Sequence, residues 1–172
     1  MNYQKIYKTT VSDGNGIGVS LYVSGCSIRC KGCHNAAAWD FCSGTKYTSE
    51  TELEILDAIG KPYVDHLSLL GGEIYDQSDS EELLSLVRKA KMYYPDKDIW
   101  VWTGYEFDQI KSSPLTKFVD VAVTGRFILE QRDISDDNRW RGSRNQRVID
   151  VQASLNSDKV VGLSGIPNNE TN

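Results

Sequence analysis

A chain of 172 residues with net charge −5, 40% hydrophobic and 25% charged residues suits one globular domain with a real core. It is too short for a complete eight-unit barrel, which takes about 250 residues, and its acidic balance, with a pI near 5.0, argues against a nucleic-acid footprint. Met1-Asn2-Tyr3-Gln4-Lys5 carries no apolar export segment and no stretch reaches membrane-spanning length, so a reducing, cytoplasmic setting without membrane contact is expected.

In chain order, Asp13-Gly14-Asn15-Gly16-Ile17-Gly18 is the first distinctive stretch. Phosphate-binding glycine loops follow a strand and open a helix. Here the glycines precede Val19-Ser20-Leu21-Tyr22-Val23, which alternates like a strand, so a turn entering a first strand is expected.

That strand runs through Ser24-Gly25 into Cys26-Ser27-Ile28-Arg29-Cys30-Lys31-Gly32-Cys33, which holds three of the four cysteines at C-x3-C-x2-C spacing. Thiolates crowded on one short loop select zinc, copper or an iron–sulfur cluster. A four-iron cluster normally takes four cysteines, so three leave one iron open, which suits catalysis better than electron storage. A structural zinc site is the alternative, and it needs a fourth ligand, for which His34 and Cys42 are available. Cys42 otherwise reads as a free, partly buried thiol.

Ser49-Glu50-Thr51-Glu52 has capping-box form and predicts a helix with Leu53, Leu56 and Ile59 on one face, stopped by Gly60 and Pro62. His66-Leu67-Ser68-Leu69-Leu70 is a second strand, followed by Gly71-Gly72-Glu73. A second helix starts near Ser78, groups Leu83, Leu84, Val87 and Tyr94, and closes at Pro95. Ile99 to Trp102 forms a third strand, Phe107 to Ile110 a short helix, and Val119 to Val123 a fourth strand.

Strand–helix alternation of this kind predicts an α/β fold with a mainly parallel sheet and covering helices. Each predicted strand ends in a polar glycine turn: Ser24-Gly25-Cys26, Gly71-Gly72-Glu73, Thr103-Gly104-Tyr105 and Thr124-Gly125-Arg126. Ligands bind at the carboxyl edge of such sheets, so four turns there describe an active-site rim.

The cysteine spacing together with Gly71-Gly72-Glu73 resembles the radical S-adenosylmethionine (SAM) superfamily. A narrower likeness covers most of residues 1 to 150: Asn2-Tyr3, the cysteine loop running into His34-Asn35, Ile99 to Tyr105, and Trp140-Arg141-Gly142-Ser143-Arg144-Asn145-Gln146-Arg147 are similar to the activating components of anaerobic ribonucleoside-triphosphate reductases. Gly32 before the third cysteine is that subfamily's habit. The chain departs from the family pattern at Ile74, where Pro is frequent, at His34, usually Tyr, and at Thr124, often Asp.

The resemblance implies an incomplete (β/α) barrel over residues 1–151 with a partly disordered extension over 152–172, and a loose tail from Pro167. It implies a 4Fe-4S cluster on Cys26, Cys30 and Cys33, with SAM as second cofactor. One electron cleaves SAM, and the 5′-deoxyadenosyl radical formed takes a hydrogen from a backbone glycine of the large reductase subunit. An external low-potential donor such as a flavodoxin supplies the electron. SAM contacts are expected from Gly32, Cys33, His34 beside adenine, Gly71, Gly72 and Glu73 at the methionine amine, Thr103 at ribose, and Arg126 at the methionine carboxylate. Arg139, Arg141, Arg144 and Arg147 form a basic patch expected to dock the reductase. Another small radical SAM enzyme, or a non-enzymatic zinc or iron–sulfur module, are the competing readings.

Overall fold

A computed structural model of the chain describes residues 1–167; the expected loose tail beyond Pro167 lies outside them. Among the described residues seven strands form one sheet: β1 (Asn2–Thr10), β2 (Gly18–Val23), β3 (Thr45–Lys46), β4 (His66–Gly71), β5 (Asp98–Trp102), β6 (Val121–Thr124) and β7 (Arg147–Asp150). Their order is β3-β1-β2-β4-β5-β6-β7. The four inner strands β2, β4, β5 and β6 are mutually parallel, while β1 runs antiparallel to β2, β3 antiparallel to β1, and β7 antiparallel to β6. The architecture is therefore mixed α/β with a mainly parallel centre and few helices: α1 (Ser49–Ile59), α2 (Glu81–Tyr93), α3 (Phe107–Ile110) and α4 (Val151–Leu155).

Alternation along each inner strand sorts side chains to two faces. Val19, Leu21, Val23, Leu67, Leu69, Ile99, Val101 and Ala122 pack with apolar residues of α1, α2 and α3 in the main core. Trp100, Val121, Val123 and Val148 face the other way and meet Trp102, Trp140, Leu163 and Ile166. The chain beyond α4 returns to this second face, where the Leu163 N–H donates to the Val148 carbonyl at 3.0 Å.

Three expectations shift in detail. The cap of α1 is Thr48, extended at φ −134° and ψ 174°, with its hydroxyl accepting from the Thr51 N–H; Ser49 is already helical. The buried stripe is Glu52, Ile55, Leu56 and Ile59, whereas Leu53 is 65% exposed. Glu52 tolerates the buried face because the Lys89 ammonium pairs with it. α2 starts at the Ser80 cap, because Ser78 ends a separate 3-10 turn, Ile74–Gln77.

β1, β3 and β7 have no counterpart among the predicted strands. β1 is an outer strand with no buried residue, so it lacks the apolar alternation that marks a strand in sequence. The parallel register of β2 and β4, Gly18 opposite His66 through Val23 opposite Gly71, aligns the ends of the strands. That alignment puts the four glycine turns side by side along the carboxyl edge.

Candidate functional site

The cysteine loop is fixed at its root by backbone bonds, Gly25 N–H to the Ala38 carbonyl at 2.7 Å and Cys26 N–H to the Trp39 carbonyl at 3.1 Å. A turn closes its far end, with the Cys33 N–H donating to the Cys30 carbonyl at 3.1 Å and the Asn35 N–H to Cys33 Sγ at 3.4 Å. Arg29 between them adopts a left-handed conformation, φ 48°, which lets the loop bend back within so few residues. Cys26, Cys30 and Cys33 are all free thiols and partly exposed. Cys42, expected to be partly buried, is exposed, because its stretch runs over the surface after a short 3-10 turn.

No three His, Cys, Asp or Glu side chains among the described residues converge on one ion. One tetrahedral zinc would bring its sulfurs to roughly 3.8 Å from one another. A four-iron cluster gives each thiolate a different iron and asks for no such convergence. Three soft, uncrosslinked thiols on one bent loop suit that larger group.

Beside this loop the turn after β4 is locked to it, since the Gly72 N–H donates to the Val23 carbonyl and the Glu73 N–H to the Gly25 carbonyl, both at 2.8 Å. Glu73 itself turns inward and is 2% exposed. Its carboxylate accepts from the Thr103 hydroxyl at 2.7 Å, the Gly104 N–H at 2.8 Å and the Tyr75 N–H at 3.0 Å. Burial outweighs these donors and pushes its pKa up to about 7. Burial also raises the Cys26 thiol, against backbone N–H groups of Arg29 and Ile28, and the carboxylates of Glu73 and Asp76 add to the rise.

The structure brings the expected residues to one edge but gives several a different occupation. Glu73 and Thr103 bond each other, and the Thr103 hydroxyl also accepts from the Tyr105 N–H at 3.1 Å. Neither side chain stands free on the rim, because both are drawn into a brace between the second and third turns. Arg126 is exposed and donates from Nη2 to the Ile28 carbonyl at 3.0 Å, tying the fourth turn to the cysteine loop. His34 is exposed, next to Cys33, while Gly71 and Gly72 are partly exposed. Gly32 has φ 75° and lies against the Leu129 side chain.

The basic patch does not form one surface. Arg141 is buried at 6% exposure, with Nη2 donating to the Asp137 carbonyl at 2.6 Å, while Arg139 lies exposed 5.4 Å from the centre of the Trp140 ring. The 3-10 turn before it curls the chain so that Arg141 points into its own loop.

Asp76 and Tyr105 are the contributors that sequence reasoning did not single out. Asp76 accepts from the Ser27 N–H at 2.6 Å, the Ser27 hydroxyl at 3.0 Å and the Tyr105 hydroxyl at 2.9 Å. Only the short distance of Asp76 from Gly71-Gly72-Glu73 hinted at it.

Comparison with known proteins bears on what such an edge serves. A family model described as a 4Fe-4S single cluster domain matches residues 12–149. A protein of Enterobacteria phage T4 is 38% identical over 148 residues, covering 86% of this chain and 93% of its own length. One from Vibrio cholerae is 41% identical over 150 residues, 85% of this chain and 96% of its own, and one from Escherichia coli 34% over 152 residues, 86% and 97%. All three are named anaerobic ribonucleoside-triphosphate reductase-activating protein. The chain belongs to that family. As a reductase-activating-protein relative with a 4Fe-4S domain, it carries all three clustered cysteines inside the matched region, and Cys42 too. No helix among the described residues is long and apolar enough to cross a membrane.

Proposed function

We propose that this chain is the activating enzyme of an anaerobic ribonucleoside-triphosphate reductase and works by radical SAM chemistry. Cys26, Cys30 and Cys33 would hold a 4Fe-4S cluster, and three thiolates would leave one iron for SAM. When bound, the two groups supply one-electron cleavage of SAM to methionine and a 5′-deoxyadenosyl radical, which removes hydrogen from a backbone glycine of the large reductase subunit. The observation that carries this reading is the set of three free thiols on a loop hydrogen-bonded, at the carboxyl edge, to the neighbouring glycine turn.

The chain's own residues then have distinct tasks. The partly exposed Gly71-Gly72 backbone offers carbonyl acceptors to the methionine amine. Glu73 and Thr103 hold that turn against the next one rather than reaching outward. Arg126, with most of its fork free beyond the bond to Ile28, faces the methionine carboxylate, and His34 covers the adenine. Phe41, Ile28 and Leu129 lie against Gly25, Gly104 and Gly32 and line the rim with apolar surface. In this reading the sheet serves as an incomplete (β/α) barrel over residues 1–151, with 152–172 as an extension, and its open side admits a protein loop. The setting is cytoplasmic, with a low-potential donor such as a flavodoxin.

The test is anaerobic reconstitution followed by incubation with SAM and a strong reductant. About four iron and four sulfide per chain, with 5′-deoxyadenosine released, are expected. A colourless zinc-loaded protein, or a complete cluster that leaves SAM intact, would overturn the proposal.

A further inference from the structure

The cluster loop is not held by backbone alone. Between Cys26 and Ile28, Ser27 presents both its N–H and its hydroxyl to one carboxylate, that of Asp76, at 2.6 and 3.0 Å. The other donor to this carboxylate is the Tyr105 hydroxyl at 2.9 Å, which comes from the turn after β5. Tyr105 Oη also lies 3.4 Å from the Ser27 hydroxyl, so three side chains close a small triangle at the base of the loop. Asp76 sits in the 3-10 turn directly after Gly71-Gly72-Glu73, so the element offering acceptors to SAM also grips the loop carrying the thiols.

We propose that Asp76 is a positioning residue that clamps the Cys26 end of the cluster loop and sets a fixed negative charge beside it, lowering the cluster's reduction potential. This rests on the reading that Cys26, Cys30 and Cys33 hold the cluster. Iron–sulfur potentials follow net charge and hydrogen bonding around the sulfurs, and a nearby anion disfavours the more negative reduced state. The Tyr105 phenol tempers the effect, because its O–H withdraws charge from the carboxylate it bonds. The two groups therefore act in opposite senses on one property, although both belong to the same hydrogen-bonded triangle.

The experiment is a redox titration, followed by electron paramagnetic resonance, of anaerobically reconstituted full-length wild type, Asp76→Asn and Tyr105→Phe, with iron and sulfide measured on each sample. Asp76→Asn keeps the size and removes the charge, so its potential moves in the positive direction relative to wild type. Tyr105→Phe keeps the charge and removes its tempering donor, so its potential moves in the negative direction. A purely mechanical role moves both variants the same way or neither, and either result overturns the proposal. If Asp76→Asn does not load iron, Tyr105→Phe decides alone: a negative shift supports the proposal, and an unchanged or positive one overturns it. Wild-type protein that takes up no cluster defeats the parent reading instead, so the two failures are separable.

Discussion

Replacing Gly72 by alanine adds a single methyl group where two turns of the rim meet. A Cβ built there would stand 2.9 Å from the Gly25 carbonyl carbon and 3.1 Å from its nitrogen, with the carbonyl oxygen closer still. All of these are backbone atoms of the residue before Cys26, so no rotamer change relieves the clash. Overpacking of this kind costs about 1–3 kcal/mol, and losing the Glu73 N–H to Gly25 bond adds about 1 kcal/mol. The sum, about 2–4 kcal/mol, lowers Tm by about 5–15 °C for a domain of this size. Gly104→Ala is the matched control, because its Cβ comes too close only to the Ile28 Cδ1 methyl, at 2.6 Å, a side-chain tip that can move, while Ile28 Cγ2 and Glu73 Oε2 stand at ordinary contact, 3.5 and 3.6 Å. Thermal unfolding and iron content after anaerobic reconstitution read the two together. Gly72→Ala should lose both stability and iron, and Gly104→Ala should stay near wild type. Equal Tm and iron content in Gly72→Ala and wild type would refute the close approach on which the rim is built.

Other expected outcomes follow from the same contacts. Glu73 has a folded-state pKa near 7 against the usual 4.5, so its stabilising contribution is complete below the usual value and fades as pH rises through about 7. Wild type should therefore lose about 3 kcal/mol between pH 4.5 and 7.5 from this group, and denaturant unfolding of Glu73→Gln should show that slope removed; an undiminished slope assigns it elsewhere. Serine at Cys26, Cys30 or Cys33 should abolish the cluster absorbance one variant at a time, while Cys42→Ser keeps it, as an exposed thiol outside the loop should. On α1, Ile55→Ala should cost about 2–5 kcal/mol and Leu53→Ala less than about 0.5 kcal/mol, against the expectation that Leu53 shares the buried face with Leu56 and Ile59.

What sequence alone revealed depended on whether a feature is local. The inner strands announced themselves because they are buried on both faces and read as apolar runs, and the glycine turns at their ends followed directly. Leu53 misled because a helical face read from Leu53, Leu56 and Ile59 differs by one position from the true stripe, in which the ion-paired Glu52 takes a buried place. β1 escaped because it buries none of its residues, and β7 because only Val148 and Ile149 of its four residues are buried, too short a run to read as a strand without the neighbour it pairs with. The inward turn of Glu73 and Thr103 was invisible for another reason. Both residue types suit ligand contact equally well, and only the approach of the β4 and β5 turns decides that they bond each other. Asp76 belongs to the same class, as its partners Ser27 and Tyr105 lie 49 and 29 residues away.

Electron paramagnetic resonance of the reduced protein mixed with SAM and the large subunit of its anaerobic reductase examines the proposed activity at its product. A glycine-centred doublet on the large subunit, absent when Cys26, Cys30 or Cys33 is replaced by serine, is the predicted result. A doublet that persists in those variants, or none at all with a complete, reduced cluster and SAM present, would contradict it.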